Sequence, residues 1–181
     1  MSRLVFVDET KAKSYVMAAV SLDRRHADAM RRSLKALILP GQTSLHMRSE
    51  SERRRRHILG ALIRFLHEFD IEVAIYDAGV TESEIARRSK CLRAIVAANR
   101  GDPRVALIID RDETLVSSDR QTLIEALREE QVGERVHYEH VSRRSEQLLA
   151  MPDVFAWCWN RGGLWRQAIR GHVSEFRILA E

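Results

Sequence analysis

Five apolar residues, Val105-Ala106-Leu107-Ile108-Ile109, run straight into an aspartate, Asp110. A run this short, with no polar alternation and many β-branched residues, is a strand buried on both faces. The chain opens the same way: Leu4-Val5-Phe6-Val7 ends in Asp8-Glu9. A carboxylate at the tip of such a strand is costly to desolvate unless something compensates it. If the two strands are parallel neighbours, about 4.8 Å apart, Asp8 and Asp110 converge at one edge of the sheet. Two acids held together need a proton or a metal ion to coexist. The pattern therefore predicts a carboxylate metal site.

The remaining elements follow by periodicity and punctuation. After the strand at residues 3–7, a polar turn at Thr10 to Lys13 leads to a second strand, Ser14 to Val20, which reads as an antiparallel hairpin. Asp23 or Ser21 caps a helix reaching about Leu39, stopped by Pro40-Gly41. Ser49 and Glu52 form a capping box for a second helix, whose apolar face carries Ile58, Leu62, Phe65 and Leu66. Ile71 to Tyr76 alternate as a strand, and Thr81 caps a third helix. The strand at 104–109, a helix from Ser118 to Glu129 and a strand from Val136 to Val141 follow. A helical region from Ser145 breaks at Gly162-Gly163, and a short strand is expected at Phe176 to Leu179. A hairpin followed by alternating strands and helices predicts an α/β fold: one mixed sheet flanked by helices, in a single domain over residues 1–181. In open sheets of this kind ligands bind beyond the carboxyl ends of the parallel strands, where Asp8 and Asp110 lie.

Composition narrows the function class. No stretch approaches the roughly 18 apolar residues of a membrane span. The N-terminus enters a strand at once and meets Asp8, so no signal peptide is expected, and a cytoplasmic protein is predicted. Cys91 and Cys158 are isolated and read as core residues of a reducing compartment. The formal net charge is +4, and most of the basic residues are arginines, densest at Arg53-Arg54-Arg55-Arg56, with pairs such as Arg143-Arg144. Two readings stay open: phosphate recognition by the planar arginine fork, or solvated helix faces offset by glutamates such as Glu50, Glu52 and Glu84.

Asp8 and Glu9 are adjacent in a strand, so they point to opposite faces. Asp8 is the one expected to face Asp110, with Glu9 in support. Arg111-Asp112-Glu113 continue the loop after Asp110. Asp153 is a third candidate ligand, because a continuous helix would set it among Leu149, Ala150, Ala156 and Trp157. Pro152 offers a plainer alternative: the helix starts there and Asp153 merely favours its N-terminus. An all-oxygen cluster of Asp8, Asp110 and Asp153 suits Mg2+ or Mn2+, and a pair of ions about 4 Å apart would support phosphodiester hydrolysis. His46, in Leu45-His46-Met47-Arg48, could shuttle a proton or touch a phosphate; the plainer alternative is a surface or capping residue. Arg48 and Arg111 are the candidates for holding substrate. His137 and His140 fall on opposite faces of a strand, which argues against a zinc pair. Trp157, Trp159 and Trp165 could stack on bases, though core packing is the simpler reading. The phosphate-binding, dinucleotide-binding, serine-hydrolase and HExxH motifs are absent from the sequence.

Taken together, Phe6-Val7-Asp8-Glu9, Leu45-His46, Ile108-Ile109-Asp110, and Asp153-Val154-Phe155-Ala156-Trp157 with Asn160-Arg161 resemble the domain-of-unknown-function 3800 family of bacteria and phages. The resemblance implies a ribonuclease H-like fold over nearly the whole chain. It points to Asp8, Glu9, Asp110 and Asp153, and to His46, as functional residues. Thr10, Ala150 and Pro152 depart from the family pattern, which commonly has serine, glutamine and alanine there. The resulting expectation is a divalent-metal-dependent nuclease acting on DNA or RNA, possessing no membrane segment, with a homodimer reasonable for its tryptophan-rich C-terminal region. The rival expectation is a non-catalytic module of the same fold that binds nucleic acid or a protein partner.

Overall fold

The computed structural model of the chain describes residues 2–180. Strand β1 (Arg3–Thr10) folds back on β2 (Val16–Asp23) as an antiparallel hairpin with Asp8 opposite Ala18. Helices α1 (Ala27–Lys35) and α2 (Glu52–Glu68) follow, and β3 (Glu72–Asp77) adds antiparallel to β2. After α3 (Glu84–Ala98), β4 (Val105–Asp110) crosses to the other side of β1 and pairs with it in parallel. Helix α4 (Val116–Glu129) leads to β5 (Val136–Val141), parallel to β4. Helices α5 (Ala150–Arg161) and α6 (Gly163–Arg170) precede β6 (Glu175–Ile178), which lies parallel to β3. The sheet order is β5-β4-β1-β2-β3-β6.

Strand parity divides the core in two. Leu4, Phe6 and Ile108 pack with residues of α1, α2, α5 and α6 on one face. Val5, Val7, Leu107 and Ile109 pack with residues of α3 and α4 on the other. Both central strands are thus apolar on both sides, which is why they read as unbroken runs. By the same period of two, Asp8 and Asp110 continue the face that carries α5, and Glu9 continues the face that carries α3 and α4.

Several element ends differ from those expected from the sequence. Ser51, not Ser49, caps α2, accepting the N–H of Arg54 at 3.3 Å. Ser49 instead ends a 3-10 turn, Met47–Ser49. Ser83, not Thr81, caps α3, accepting from Ala86 at 3.2 Å. Asp23 accepts the N–H of Arg25 and caps a 3-10 turn that runs into α1, which stops at Lys35, four residues before Leu39. Helix α5 begins at Ala150, two residues before Pro152. Proline is tolerated there because the first N–H groups of a helix have no intrahelical acceptor. Gly162 and Gly163 both adopt positive φ, 75° and 54°, as glycine does most readily, and turn the chain between α5 and α6. Trp165 then meets Trp157 edge to face at 5.1 Å.

Candidate carboxylate site

The parallel register that sets Val7 beside Ile109 brings Asp8 and Asp110 together at the carboxyl ends of β1 and β4. Asp153 joins them from the first turn of α5, which packs across β1 and β2. Its carboxylate does not cap its own helix. It accepts the N–H of Met47 at 2.8 Å and lies 3.2 Å from His46 Nδ1. Asp153 therefore ties the loop before α2 to the sheet edge: it sits in the first turn of a helix that starts at Ala150, not at Pro152, and it faces the other acids.

One residue binds all three carboxylates. Arg143, in the turn between β5 and α5, donates from Nε to Asp110 Oδ2 at 3.2 Å. Its Nη2 donates to Asp8 Oδ2, and its Nη1 lies 3.3 Å from Asp153 Oδ1. The same Nη1 is 3.2 Å from His46 Nδ1. The turn is held from both ends: Ser145 and Glu146 donate to the carbonyl of Ser142, and Glu146 is ion-paired to Arg31 of α1 at 2.6 Å. The sequence shows Arg143 only as half of a basic pair. What brings it here is the parallel addition of β5 beside β4, a long-range pairing with no local signature.

The charges do not cancel. Asp8, Asp110 and Asp153 bring three negative charges against the single guanidinium of Arg143. Burial pushes the Asp8 carboxyl well above the usual range; Arg143 opposes the shift, and Asp153, Glu9 and Asp110 add to it. Asp110 is also raised, by burial first and then by Glu9 and Asp153. Burial works to raise Asp153 too, but hydrogen bonds from His46 and Met47 and the charge of Arg143 outweigh it, and its net shift is downward. An all-oxygen donor set with surplus negative charge fits a hard divalent cation. As they stand, however, the three acids face Arg143, and among the described residues no group of three His, Cys, Asp or Glu side chains is gathered as a metal-ligand set.

Glu9 lies on the opposite face. Its Oε2 accepts from Arg88 Nη1 at 2.6 Å, and Lys11 Nζ is 3.3 Å from its Oε1. Arg88 is buried and forks onto Asp119 of α4 at 2.7 and 2.9 Å, and Asp119 also meets His140 Nε2 at 2.9 Å. This network clamps α3 and α4 to β1. Arg111 leaves the cluster as well, pairing with Glu113 at 2.8 Å on the exposed loop. His137 is exposed while His140 is bound to Asp119, so the two histidines do not share a site.

A cleft of about 580 Å³ opens beside the acids; its lining includes Glu9, at the rim, with Thr10, Lys11, His46, Arg48, Asp153 and Trp157. The arginine run of α2 is largely engaged. Arg54 bonds Glu50 and the carbonyl of Leu37, and Arg56 pairs with Glu52. Arg55 bonds the carbonyls of Met47 and Arg48 and stacks over Trp157 at 4.8 Å. Trp159 is buried in the core. Arg48 and Lys11 are exposed cations at the cleft, and Lys11 is paired with Glu9 and Glu84.

A sheet in this strand order, with helices on both faces and acids at the ends of β1 and β4, is the ribonuclease H-like fold. The chain is similar in structure to ribonuclease HII from Archaeoglobus fulgidus, solved in complex with PCNA, with a TM-score of 0.59 and 14% identity over 93% of this chain and 78% of that one. Ribonuclease H2 from Pyrococcus horikoshii OT3 aligns with a TM-score of 0.48 and 13% identity over 86% of this chain and 70% of that one. No family model and no curated protein matches the chain, so the resemblance to the domain-of-unknown-function 3800 family rests on its short motifs alone.

Proposed function

We propose that this chain is a divalent-metal-dependent nuclease that hydrolyses phosphodiester bonds of DNA or RNA, and that it belongs with the domain-of-unknown-function 3800 proteins. The observation that carries the reading is the meeting of Asp8, Asp110 and Asp153 from three separate elements at the carboxyl ends of parallel strands. Like charges are not brought together in a partly buried place without a compensating role. Asp8, Asp110 and Asp153 would hold Mg2+ or Mn2+, as a pair of ions in the fullest form of the site. When bound, such a metal supplies an activated water and stabilises charge on the leaving oxygen. His46, hydrogen-bonded to Asp153 and half open to the cleft, is suited to carrying a proton between the site and solvent. Arg48 would receive a substrate phosphate at the cleft, and Arg111 would meet the strand further out. Glu9 supports the site from behind, as a positioning residue held by Arg88.

The test is a panel of labelled single- and double-stranded DNA, single-stranded RNA and RNA–DNA hybrid, each with Mg2+, Mn2+ or a chelator. Metal-dependent cutting, lost in a folded Asp110→Asn variant, is the expected result. Cutting that survives in Asp110→Asn would overturn the assignment. One observation favours the second reading, a non-catalytic nucleic-acid or partner-binding module: Arg143 already engages all three acids. Tight nucleic-acid binding without cutting under any metal would select it. Light scattering on the same preparation tests the proposed homodimer.

A further inference from the structure

Arg143 invites a question that the carboxylates alone do not. A guanidinium is a good counter-ion for one carboxylate, where its fork can be bidentate. Here it is divided among three acids, giving each a single nitrogen. The arrangement also contains a conflict. His46 Nδ1 lies 3.3 Å from Asp153 Oδ2 and 3.2 Å from Arg143 Nη1. One ring nitrogen can donate a proton to the carboxylate or accept one from the guanidinium, not both. Whichever state His46 takes, one of these contacts is unsatisfied. The cluster therefore attracts Arg143 strongly without satisfying it fully.

The side chain also has a short way out. The backbone turn that carries Arg143 is pinned by Ser142, Ser145 and the Arg31–Glu146 pair. The Arg143 side chain is 15% exposed and its methylene stem has rotatable bonds. Its Nη1 already touches His46, which lines the open cleft. Rotation about the side chain alone would free the acids while the turn stays in place.

We propose that Arg143 is a resident counter-ion that a divalent metal must displace: its guanidinium gathers Asp8, Asp110 and Asp153 in the metal-free protein and swings aside when the metal binds. The proposal rests on the reading of these acids as metal ligands. It makes metal binding and the seated guanidinium mutually exclusive. Apparent affinity then falls by the fraction of molecules in which the acids are free. If Arg143 is seated nine-tenths of the time, its removal tightens metal binding about tenfold.

Two measurements test this, and neither uses nucleic acid. In the first, Mn2+ binding and melting are followed for the intact protein and for Arg143→Ala. Arg143→Ala should melt lower than the wild type in chelator, bind Mn2+ about tenfold tighter, and close the stability gap at saturating Mn2+. An Arg143 that only props up the fold would leave the metal midpoint unchanged and the gap constant. In the second, which needs no variant, phenylglyoxal labels arginines of the wild-type protein and adducts are located by fragmentation. Arg143 should be protected in chelator and reactive in Mn2+, while exposed Arg144 labels equally in both. Continued protection of Arg143 at saturating metal overturns the proposal, and so does absence of Mn2+ binding in both proteins. Exchange without cleavage of any substrate would leave Arg143 as proposed and end the nuclease reading. Metal-dependent cleavage with Arg143 still protected would do the reverse.

Discussion

Asp8 and Glu9 are joined by one peptide bond and answer to different arginines on opposite sides of the sheet. Asp8 turns toward α5 and meets Arg143, and Glu9 turns toward α3 and meets Arg88 at 2.6 Å. The two-residue period of β1 thereby separates two charge systems: an under-compensated one that suits chemistry and a well-paired one that suits stability. Each makes its own predictions.

The first concerns Asp8. Its carboxyl is raised, chiefly by burial, so the folded state binds a proton more readily than the unfolded state. Between the ordinary aspartate value and the raised one, stability therefore falls as pH increases. Wherever Asp8 is charged, that charge is a cost to the metal-free protein. Asp8→Asn should melt higher than wild type in chelator at neutral pH, with the difference shrinking toward acid pH. A lower melting point for Asp8→Asn at neutral pH would contradict the electrostatic account.

The second concerns the far face. Asp119 is buried, yet its carboxyl is lowered, because hydrogen bonds from His140 and Arg88 outweigh the burial that would raise it. Its contribution is present above the ordinary carboxylate range and is lost as pH falls through the lowered value. Asp119→Ala leaves Arg88 buried without its fork and should cost about 3–5 kcal/mol. Urea unfolding of the variant at neutral pH measures this, and a loss below about 1 kcal/mol would remove the clamp from the account.

Asn160 gives a third test, independent of charge. It is buried near the end of α5, where its Oδ1 accepts the N–H of Lys13 at 3.0 Å and its Nδ2 donates to the carbonyl of Ser14 at 2.6 Å. It fastens the hairpin turn to the helix that carries Asp153. Asn160→Ala should cost about 2 kcal/mol, and Asn160→Asp more, since a carboxylate would face the Ser14 carbonyl. Equal stability of Asn160→Asp and wild type would show that the staple contributes little.

Arg48 separates binding from chemistry. If it holds a phosphate equally in ground and transition states, Arg48→Ala raises KM roughly five- to tenfold with kcat nearly unchanged. The salt dependence of binding should weaken by about one unit of slope. A fall in kcat with constant KM would move Arg48 into the chemical step.

Much of the fold was legible because it depends on local pattern. The buried strands at 3–7 and 105–109, the alternation at 71–76 and the break at Gly162-Gly163 all survive in the structure, since apolar runs and glycine conformation act over a few residues. The caps were less legible for a specific reason. Ser49 and Ser51 are both good N-caps, and the tie from Met47 to Asp153 draws Ser49 into a 3-10 turn and leaves the helix to Ser51. Thr81 is the expected cap of α3, but Ser83, two residues later and also a good N-cap, takes that place, and α3 begins at Glu84.

The sequence by itself determined that Asp8 and Asp110 follow directly on two buried apolar runs and that Glu9 faces away from Asp8, because strand period and burial are written residue by residue; β1 itself continues to Thr10. Tertiary structure alone decided that Arg143 sits among the acids, that Arg88 takes Glu9, and that Asp153 reaches Met47 and His46 rather than its own helix. Arg143 lies 135 residues from Asp8 and 33 from Asp110, Arg88 lies 79 from Glu9, and Asp153 lies 106 and 107 from Met47 and His46. Only the order of the strands and the seating of α5 bring them within hydrogen-bonding distance, and a short-range pattern carries no record of either.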